Sequence, residues 1–223
     1  MLIKVCGMRE PENVREVSSL DIDLMGFIFY PKSSRYVQQI SMHAGIIPDR
    51  ADDEIIDKKR CRYVGVFVDD MPQNIVTRVY NYHLDYVQLH GNESPVMIEN
   101  LKRTLIPDIV PDIKIIKALS IREADDVKRW REYEGYVDMF LFDTQCKGYG
   151  GSGEQFDWSI LDAYDGNIPF LLSGGIGPDD AERVKAFHHP KCVGIDLNSR
   201  FEISPALKDV EKLRGFIKAI DEK

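Results

Sequence analysis

The chain has 223 residues, 43% of them hydrophobic, and a formal net charge of −8 at pH 7. This length suffices for a large α/β domain that folds without disulfides or metal. The acidic balance argues against nucleic-acid or anionic-membrane binding, because neutralising phosphates requires a basic surface, but a local cationic pocket for one small phosphate remains open.

Eight short apolar runs predict β-strands along the whole chain. They are LIKVC (2–6), LMGFIFY (24–30), YVGVFV (63–68), YVQLH (86–90), KIIKAL (114–119), MFLFD (139–143), PFLLSG (169–174) and CVGIDL (192–197). Between them, apolar residues spaced three and four apart predict helices, for example EPENVREVSSL, PQNIVTRVYNYH, READDVKRWREY, PDDAERVKAFH and DVEKLRGFIKAI. The second unit is the weakest, because the polar stretch 41–60 predicts only a short helix and a long connection.

The order of these elements predicts the fold class. Nearly continuous apolar strands that alternate with amphipathic helices favour a parallel sheet covered by helices. Eight such units fit the lower size range of a (β/α)8 barrel, or TIM barrel. No Pro-, Gly- or Ser-rich linker divides the chain. We therefore predict an α/β protein with a single (β/α)8 barrel domain over residues 1–223.

The cysteines and the first residues bear on cellular location. Cys6, Cys61, Cys146 and Cys192 have no paired short spacing, so neither a zinc motif nor a disulfide framework is predicted. In the opening MLIKVCGMRE the apolar run is too short, and the first charged residue comes too early, for a signal peptide. No apolar run approaches the roughly 20 residues of a membrane span. We expect a cytoplasmic protein that contacts neither a membrane nor nucleic acid.

Polar residues stand at or near the ends of most predicted strands. The active site of a (β/α)8 barrel lies at the carboxyl ends of its strands, where these side chains would converge. Any one of them could instead serve a turn or a helix cap. A thiol and a carboxylate across one mouth can act as general base and general acid, which predicts proton transfer on a small molecule. The residues are Cys6, His90, Lys117, Asp143, Ser173 and Asp196.

Two loops predict a phosphate site. LLSGGIGPDDAERV (171–184) places Gly174 and Gly175 after the seventh strand and before a helix, which offers backbone N–H groups and a positive dipole end to an anion. GIDLNSRFE (194–202) adds Ser199 and Arg200 after the eighth strand. Two glycines could merely make a tight turn. Barrels of this type commonly hold phosphate at these two loops, so we favour a phosphate site.

Seven motifs in order carry a family resemblance that covers essentially the whole chain. They are KVCGM (4–8), GFIFYPKSSRYV (26–37), VGVFVD (64–69), DYVQLHGNE (85–93), LFDTQCKGYGGSGEQFDW (141–158), LLSGGIGPDD (171–180) and GIDLNSRFEISPALKD (194–209). With them the chain resembles the phosphoribosylanthranilate isomerases of tryptophan biosynthesis. The resemblance implies conversion of N-(5-phosphoribosyl)anthranilate to 1-(2-carboxyphenylamino)-1-deoxyribulose 5-phosphate, an Amadori rearrangement that needs no metal or organic cofactor.

The resemblance also implies roles for the site candidates. Cys6 would be the general base and Asp143 the general acid. Arg35 would bind the anthranilate carboxylate, and His90 and Asp196 would lie in the mouth beside the substrate. The family's phosphate-binding positions correspond here to Gly174, Gly175 and Ser199.

Three positions depart from the family pattern. Ser34 stands where proline is frequent, and Arg200 and Ala206 stand where glycine is frequent. None of them removes a catalytic group, and we expect Arg200 to add to phosphate binding. The glycine-rich loop TQCKGYGGSGEQ after Asp143 is suited to fold over the substrate, with Cys146 as a bystander.

Other interpretations stay open from the residues alone. A different sugar-phosphate-binding barrel isomerase, such as a pentose-phosphate epimerase, would need metal-binding His and Asp residues at strand ends, and His90 is the one strand-end histidine. A synthase of the indole-glycerol-phosphate type would need several lysines and glutamates there. A catalytically silent phosphate-ligand-binding barrel would be favoured if Cys6 or Asp143 were absent. We expect a phosphorylated small molecule as ligand, and a monomer rather than a homodimer.

Overall fold

The structure, a computed structural model, describes residues 1–38, 61–144 and 157–222. Eight parallel strands pair in chain order, and the eighth pairs with the first, so the sheet closes into a barrel. This confirms the predicted TIM barrel. The strands are β1 (Leu2–Cys6), β2 (Leu24–Ile28), β3 (Arg62–Phe67), β4 (Tyr86–Leu89), β5 (Lys114–Ile121), β6 (Met139–Thr144), β7 (Phe170–Ser173) and β8 (Cys192–Leu197).

Helices alternate with the strands, although two of them are shorter than predicted. READDVKRWREY forms one α-helical turn followed by a 3₁₀ segment, 128–133, and PDDAERVKAFH opens with a 3₁₀ turn, 178–180. Within the described ranges no helix is long and apolar enough to cross a membrane. The helices are α1 (Pro11–Ser18), α2 (Pro72–Tyr82), α3 (Pro95–Asp108), α4 (Ala124–Val127), α5 (Ala181–Ala186) and α6 (Val210–Asp221).

Two sequence predictions fall where the structure is not described. The helix and connection expected over 41–60 lie outside the described residues, as does the glycine-rich loop from residue 145 onward with Cys146. Asp143, the residue that leads into this loop, is described as the last residue but one of β6.

A small hairpin follows β8 and is not part of the barrel. It consists of β9 (Glu202–Ser204) and β10 (Leu207–Lys208), which pair antiparallel. Ala206 adopts a left-handed conformation with φ of 71° in its turn, a conformation that favours glycine. Asn13 of α1 exchanges two hydrogen bonds with the backbone of Lys208, at 2.9 and 2.7 Å, so the hairpin is tied to the barrel wall.

Side chains alternate along the strands between two cores. One apolar cluster lies inside the barrel and includes Leu24, Val66, Ile116 and Leu141. A larger one lies between the strands and the helices. Because successive residues of a strand face opposite sides, Ile3 and Val5 pack outward while their neighbours in β1 face the interior.

Aromatic rings dominate the outer core beside β6 and β7. The Phe142 ring centroid lies 5.1 Å from that of Tyr164 and 4.8 Å from that of Phe170. The Tyr164 hydroxyl donates to the carbonyl of Ile168 at 2.7 Å, and burial raises the pKa of Tyr164 to about 12. These rings fix the outer side of β6, the strand that carries Asp143.

Phe142→Ala is expected to lower the free energy of unfolding by about 3–5 kcal/mol, because it leaves a cavity in a fully buried aromatic cluster. Denaturant unfolding measures this. Val96→Ala, at a 68% exposed position of α3, is the control and should change the same quantity by less than about 0.5 kcal/mol. A Phe142→Ala protein as stable as the control would contradict the packing described here.

Candidate active site

A cavity of about 180 Å³ opens at the carboxyl ends of the strands. A larger depression, of about 390 Å³, lies at the amino end of the barrel beside Met1 and Cys192, away from the convergent polar groups. The cavity at the carboxyl ends brings together eight of the nine predicted site residues, namely Cys6, His90, Asp143, Gly174, Gly175, Asp196, Ser199 and Arg200.

A buried ion pair lies beneath this cavity, where β1 meets β8. Lys4 and Asp196 are register partners in the two strands, and Lys4 Nζ lies 2.9 Å from Asp196 Oδ1. Lys4 is completely buried and Asp196 is 8% exposed. Burial acts to lower the pKa of Lys4, but the charges of Asp196 and Cys6 outweigh it, and the net pKa is raised. Lys4 is therefore a cation inside the barrel.

Cys6 stands two residues further along the same face of β1. Its side chain is buried, and a Cβ placed on the facing Gly26 would come within 2.7 Å of Cys6 Sγ. Burial is the largest influence on the pKa of the thiol and raises it. The positive charges of Lys4 and Lys208 lower this pKa, the negative charge of Asp196 raises it, and the net pKa is raised. The thiolate that a general base requires thus depends on nearby cations.

His90 and Asp143 lie side by side at the rim of the cavity. His90 Nε2 lies 3.6 Å from Asp143 Oδ2, and His90 Nδ1 lies 3.1 Å from the Gln88 amide nitrogen. If Gln88 donates to Nδ1, the proton of a neutral His90 ring is on Nε2 and points towards Asp143. With the Gln88 amide reversed, Nδ1 donates to Gln88 and Nε2 is the acceptor of the ring.

The loop after β7 has a backbone that glycine alone fits. Gly174 has φ of 103°, and a Cβ there would lie 1.9 Å from the carbonyl oxygen of Thr144. Gly175 follows with φ of 70°. Ser199 and Arg200 lie exposed on the adjoining loop after β8. Across the described ranges Arg200 forms no hydrogen bond or ion pair, so its charge is available at the cavity rim.

The helix after this loop contributes less than the sequence predicted. A 3₁₀ turn leads into α5, which has six residues, and the Gly177 N–H already donates to Asp180 Oδ2 at 2.7 Å. A short helix whose leading N–H group is capped by its own carboxylate has little to offer an anion. An anion at this rim would depend on the loop backbone and on Ser199 and Arg200.

Arg35 is the one predicted site residue that does not line the cavity. Its guanidinium forms a two-bond ion pair with Glu202 of β9, with Nε at 2.8 Å and Nη2 at 2.5 Å from the carboxylate oxygens. Its Cδ would lie 2.6 Å from a Cβ added to Gly7. The Arg35 side chain therefore crosses the backbone directly after Cys6, at the edge of the mouth.

Glu202 also binds a second cation. Lys208 Nζ lies 2.6 Å from Glu202 Oε1 and 2.9 Å from Asn198 Oδ1. Burial acts to raise the pKa of Glu202, but the hydrogen bonds from Arg35 and Lys208 reverse this and lower it. The same carboxylate thus fixes Arg35 and Lys208 on one side of the mouth.

Sequence reasoning missed several of these residues and misplaced one. Lys4 and Gln88 precede Cys6 and His90 by two positions, and strand alternation could have identified them. Asn198 directly follows β8 and lines the cavity, so the strand-end rule could have identified it as well. Glu202 and Lys208 carried no strand-end signal. Lys117, expected near the rim, faces away from the interior and binds Glu93 and the carbonyl of Gly91, at 3.1 and 2.7 Å. The described ranges contain no group of three or more His, Cys, Asp or Glu side chains that could hold a metal ion.

Fold and mouth together define the class of protein. A (β/α)8 barrel that combines a thiol, a carboxyl group and a glycine-rich anion loop over one cavity is suited to acid–base chemistry on a phosphorylated small molecule. The family model for N-(5'-phosphoribosyl)anthranilate (PRA) isomerase matches residues 3–219. The chain therefore belongs to the phosphoribosylanthranilate isomerase family.

Individual relatives support this membership. N-(5'-phosphoribosyl)anthranilate isomerase from Parabacteroides distasonis is 50% identical over 220 residues, which cover 99% of this chain and 93% of the relative. The protein of the same name from Phocaeicola vulgatus is 43% identical over 223 residues, covering 100% and 99% of the two chains.

Solved structures agree in fold. Phosphoribosyl anthranilate isomerase from Thermotoga maritima superposes with a TM-score of 0.75 at 29% identity, covering 99% of this chain and 98% of its own. A phosphoribosyl anthranilate isomerase in complex with reduced 1-(o-carboxyphenylamino)-1-deoxyribulose 5-phosphate has a TM-score of 0.75 at 28% identity and the same coverage.

Glu202→Gln is expected to lower the free energy of unfolding by about 2 kcal/mol at neutral pH, since it weakens two charge-assisted hydrogen bonds. The depressed pKa of Glu202 means that this contribution is present above the pKa of an unfolded glutamate, about 4.3, and is lost as pH falls through the lower folded value. Denaturant unfolding at neutral and acidic pH measures the difference between variant and parent.

The control is Glu99→Gln, which removes an exposed pair with Arg103 and should change stability little at either pH. A gap between parent and Glu202→Gln that stays constant down to strongly acidic pH would show that the ionised Glu202 does not stabilise the fold.

Proposed function

We propose that this chain is a phosphoribosylanthranilate isomerase in which Cys6 is the general base and Asp143 the general acid. The substrate is N-(5-phosphoribosyl)anthranilate and the product 1-(2-carboxyphenylamino)-1-deoxyribulose 5-phosphate. The observation that carries the proposal is the single cavity that Cys6, Asp143 and the glycine loop after β7 line together. Acid, base and anion site within one cavity suit a substrate with a phosphate at one end and a labile C–H bond near its middle.

The proposed chemistry has two proton transfers. Asp143 protonates the ribose ring oxygen, the furanose opens, and the C1–N unit becomes an iminium ion. Cys6 as thiolate then removes the proton from C2, because the adjacent iminium ion acidifies it, and an enolamine forms. Tautomerisation of the enolamine gives the ketone at C2. The Asp143 carboxylate and the Cys6 thiol are the resulting protonation states, and solvent exchange restores the starting ones.

Substrate binding divides between two sides of the mouth. Gly174, Gly175 and Ser199 are proposed to bind the phosphate through backbone and hydroxyl donors, with Arg200 adding its charge. Glu202 accepts from Nε and Nη2 of Arg35. Arg35 is proposed to bind the anthranilate carboxylate with the guanidinium N–H groups that do not bond to Glu202. His90 and Asp196 would contact the sugar between these two ends. A reduced form of the product, which cannot revert, should occupy the same positions.

We further propose that the protein acts as a monomer in the cytoplasm, as a single catalytic domain. All nine proposed site residues come from one chain, so one copy carries a full site. The phosphoribosylanthranilate isomerase of Thermotoga maritima is dimeric, and the assembly of this chain is a separate property from that of its relative.

Cys6→Ser and Asp143→Asn are each expected to reduce turnover by about 10² or more, because each removes one of the two proton-transfer groups while preserving side-chain size. The measurement generates N-(5-phosphoribosyl)anthranilate from anthranilate and phosphoribosyl pyrophosphate and follows the loss of its fluorescence. Binding of the reduced product should remain nearly unchanged.

Cys192→Ser is the matched control for Cys6→Ser, since Cys192 starts β8 at the other end of the barrel, and it should retain parental turnover. The double variant Cys6→Ser/Asp143→Asn should lose less than the product of the two single losses, because both groups serve one reaction. Parental turnover in Cys6→Ser would remove Cys6 from the mechanism and leave the base to be found elsewhere in the mouth.

Arg200→Gly is expected to raise the Michaelis constant several-fold with little change in turnover, because a phosphate bound equally in ground and transition states loses one cation. The effect should be larger at low salt, where the charge is less screened. Arg122→Gly, which removes an exposed cation after β5, controls for the overall change in charge. Equal Michaelis constants for Arg200→Gly and the parent at low salt would assign Arg200 to solvent.

A further inference from the structure

We propose that Lys4 is a positioning residue that holds Cys6 in its reactive form, because its buried ammonium charge lies beneath the sulfur and stabilises the thiolate. This inference deepens the proposed function, on which it rests for the role of Cys6. It assigns to a fully buried lysine inside the barrel a part in creating the base, in addition to its ion pair with Asp196.

The geometry of β1 brings Lys4 and Cys6 together. They are two residues apart on one strand and so face the same side. The Lys4 side chain has no exposed surface, and its ammonium group is held at 2.9 Å from Asp196 Oδ1. Asp196 lines the same cavity as Cys6, so the positive charge of Lys4 lies in the barrel interior directly below the thiol.

A buried thiol needs such a partner. Burial raises the pKa of Cys6, and Lys4 is the largest opposing influence. Cations beside a cysteine are a general means of producing thiolate near neutral pH. The interior is poorly solvated, so a neighbouring ammonium charge acts there more strongly than it would in water.

The other charged groups around Cys6 do not replace Lys4. Asp196 of β8 opposes thiolate formation, and β2 presents only Gly26. Asp143 and His90 line the same cavity from β6 and from the end of β4. Among the remaining cations, Arg35 and Lys208 share the Glu202 carboxylate, which offsets part of their charge. Arg200 lines the cavity at its solvent-exposed rim, where its charge is screened by water.

The proton balance leaves Lys4 unchanged through the reaction. The thiolate takes the C2 proton with its electron pair remaining on the substrate as the enolamine, and the sulfur becomes a neutral thiol. Lys4 keeps its proton throughout. When the thiol releases its proton to solvent, the ammonium again stabilises the thiolate.

The test measures the Cys6 titration directly and does not need isomerase activity. The ultraviolet absorbance of thiolate is recorded against pH for each protein and for its Cys6→Ser counterpart, and the difference isolates Cys6. The variant is Lys4→Met/Asp196→Asn, which removes both charges and keeps the interior neutral. It is compared with Asp196→Asn alone, because loss of the Asp196 charge by itself lowers the Cys6 pKa and would mask part of the effect of Lys4. The matched control is Lys117→Met/Glu93→Gln, which removes a second fully buried lysine–carboxylate pair that faces outward.

The midpoint of the Cys6 titration should rise by about one pH unit or more in the Lys4 variant, a tenfold change in the ratio of thiolate to thiol, and should stay unchanged in the Lys117 variant. Lys4→Gln and Lys117→Gln repeat the comparison, and they decide it if the first pair does not fold. An unchanged midpoint after removal of Lys4 overturns the proposal. A raised midpoint in a protein whose parent shows no isomerase activity would uphold Lys4 and reject the proposed function.

Discussion

The ion pair between Lys4 and Asp196 is the interaction on which the mouth of the barrel depends. It joins β1 to β8, where the sheet closes. Removing one partner of a buried pair typically costs about 3–5 kcal/mol, because it leaves an uncompensated charge. A pair of apolar side chains would close the barrel without that liability. We attribute the presence of charges at this position to the proposed role of Lys4, whose ammonium group stabilises the thiolate of Cys6 at the floor of the cavity.

The rest of the site repeats this arrangement, with each functional group held by a second polar side chain. Glu202 fixes the guanidinium of Arg35, and Gln88 contacts the ring of His90, which faces Asp143. A side chain held at two points loses little further freedom when a substrate binds. Stiff strands and their polar neighbours therefore supply positions, and the loops at the rim supply the donors for an anion.

The parts predictable from the sequence are those that follow a local rule. Apolar runs of strand length predicted the eight strands, and the polar residues near the strand ends predicted that Cys6 and Asp143 line one mouth, as they do. Lys117 was misplaced because its direction depends on which residues of β5 face inward, and neighbouring Ile116 and Ala118 do so. Glu202 and Lys208 belong to a hairpin whose docking on α1 depends on contacts far apart in sequence, which no local pattern encodes.

A crystal structure of this protein with the reduced product tests the central claim most directly, namely that one cavity aligns base, acid and anion site on a single substrate. The account predicts the phosphate at the loop of Gly174 and Gly175, with Ser199 beside it. It predicts C2 of the sugar within van der Waals contact of Cys6 Sγ, about 3–4 Å, and Asp143 on the ring-oxygen side. A ligand whose sugar lies out of reach of both Cys6 and Asp143 would contradict it.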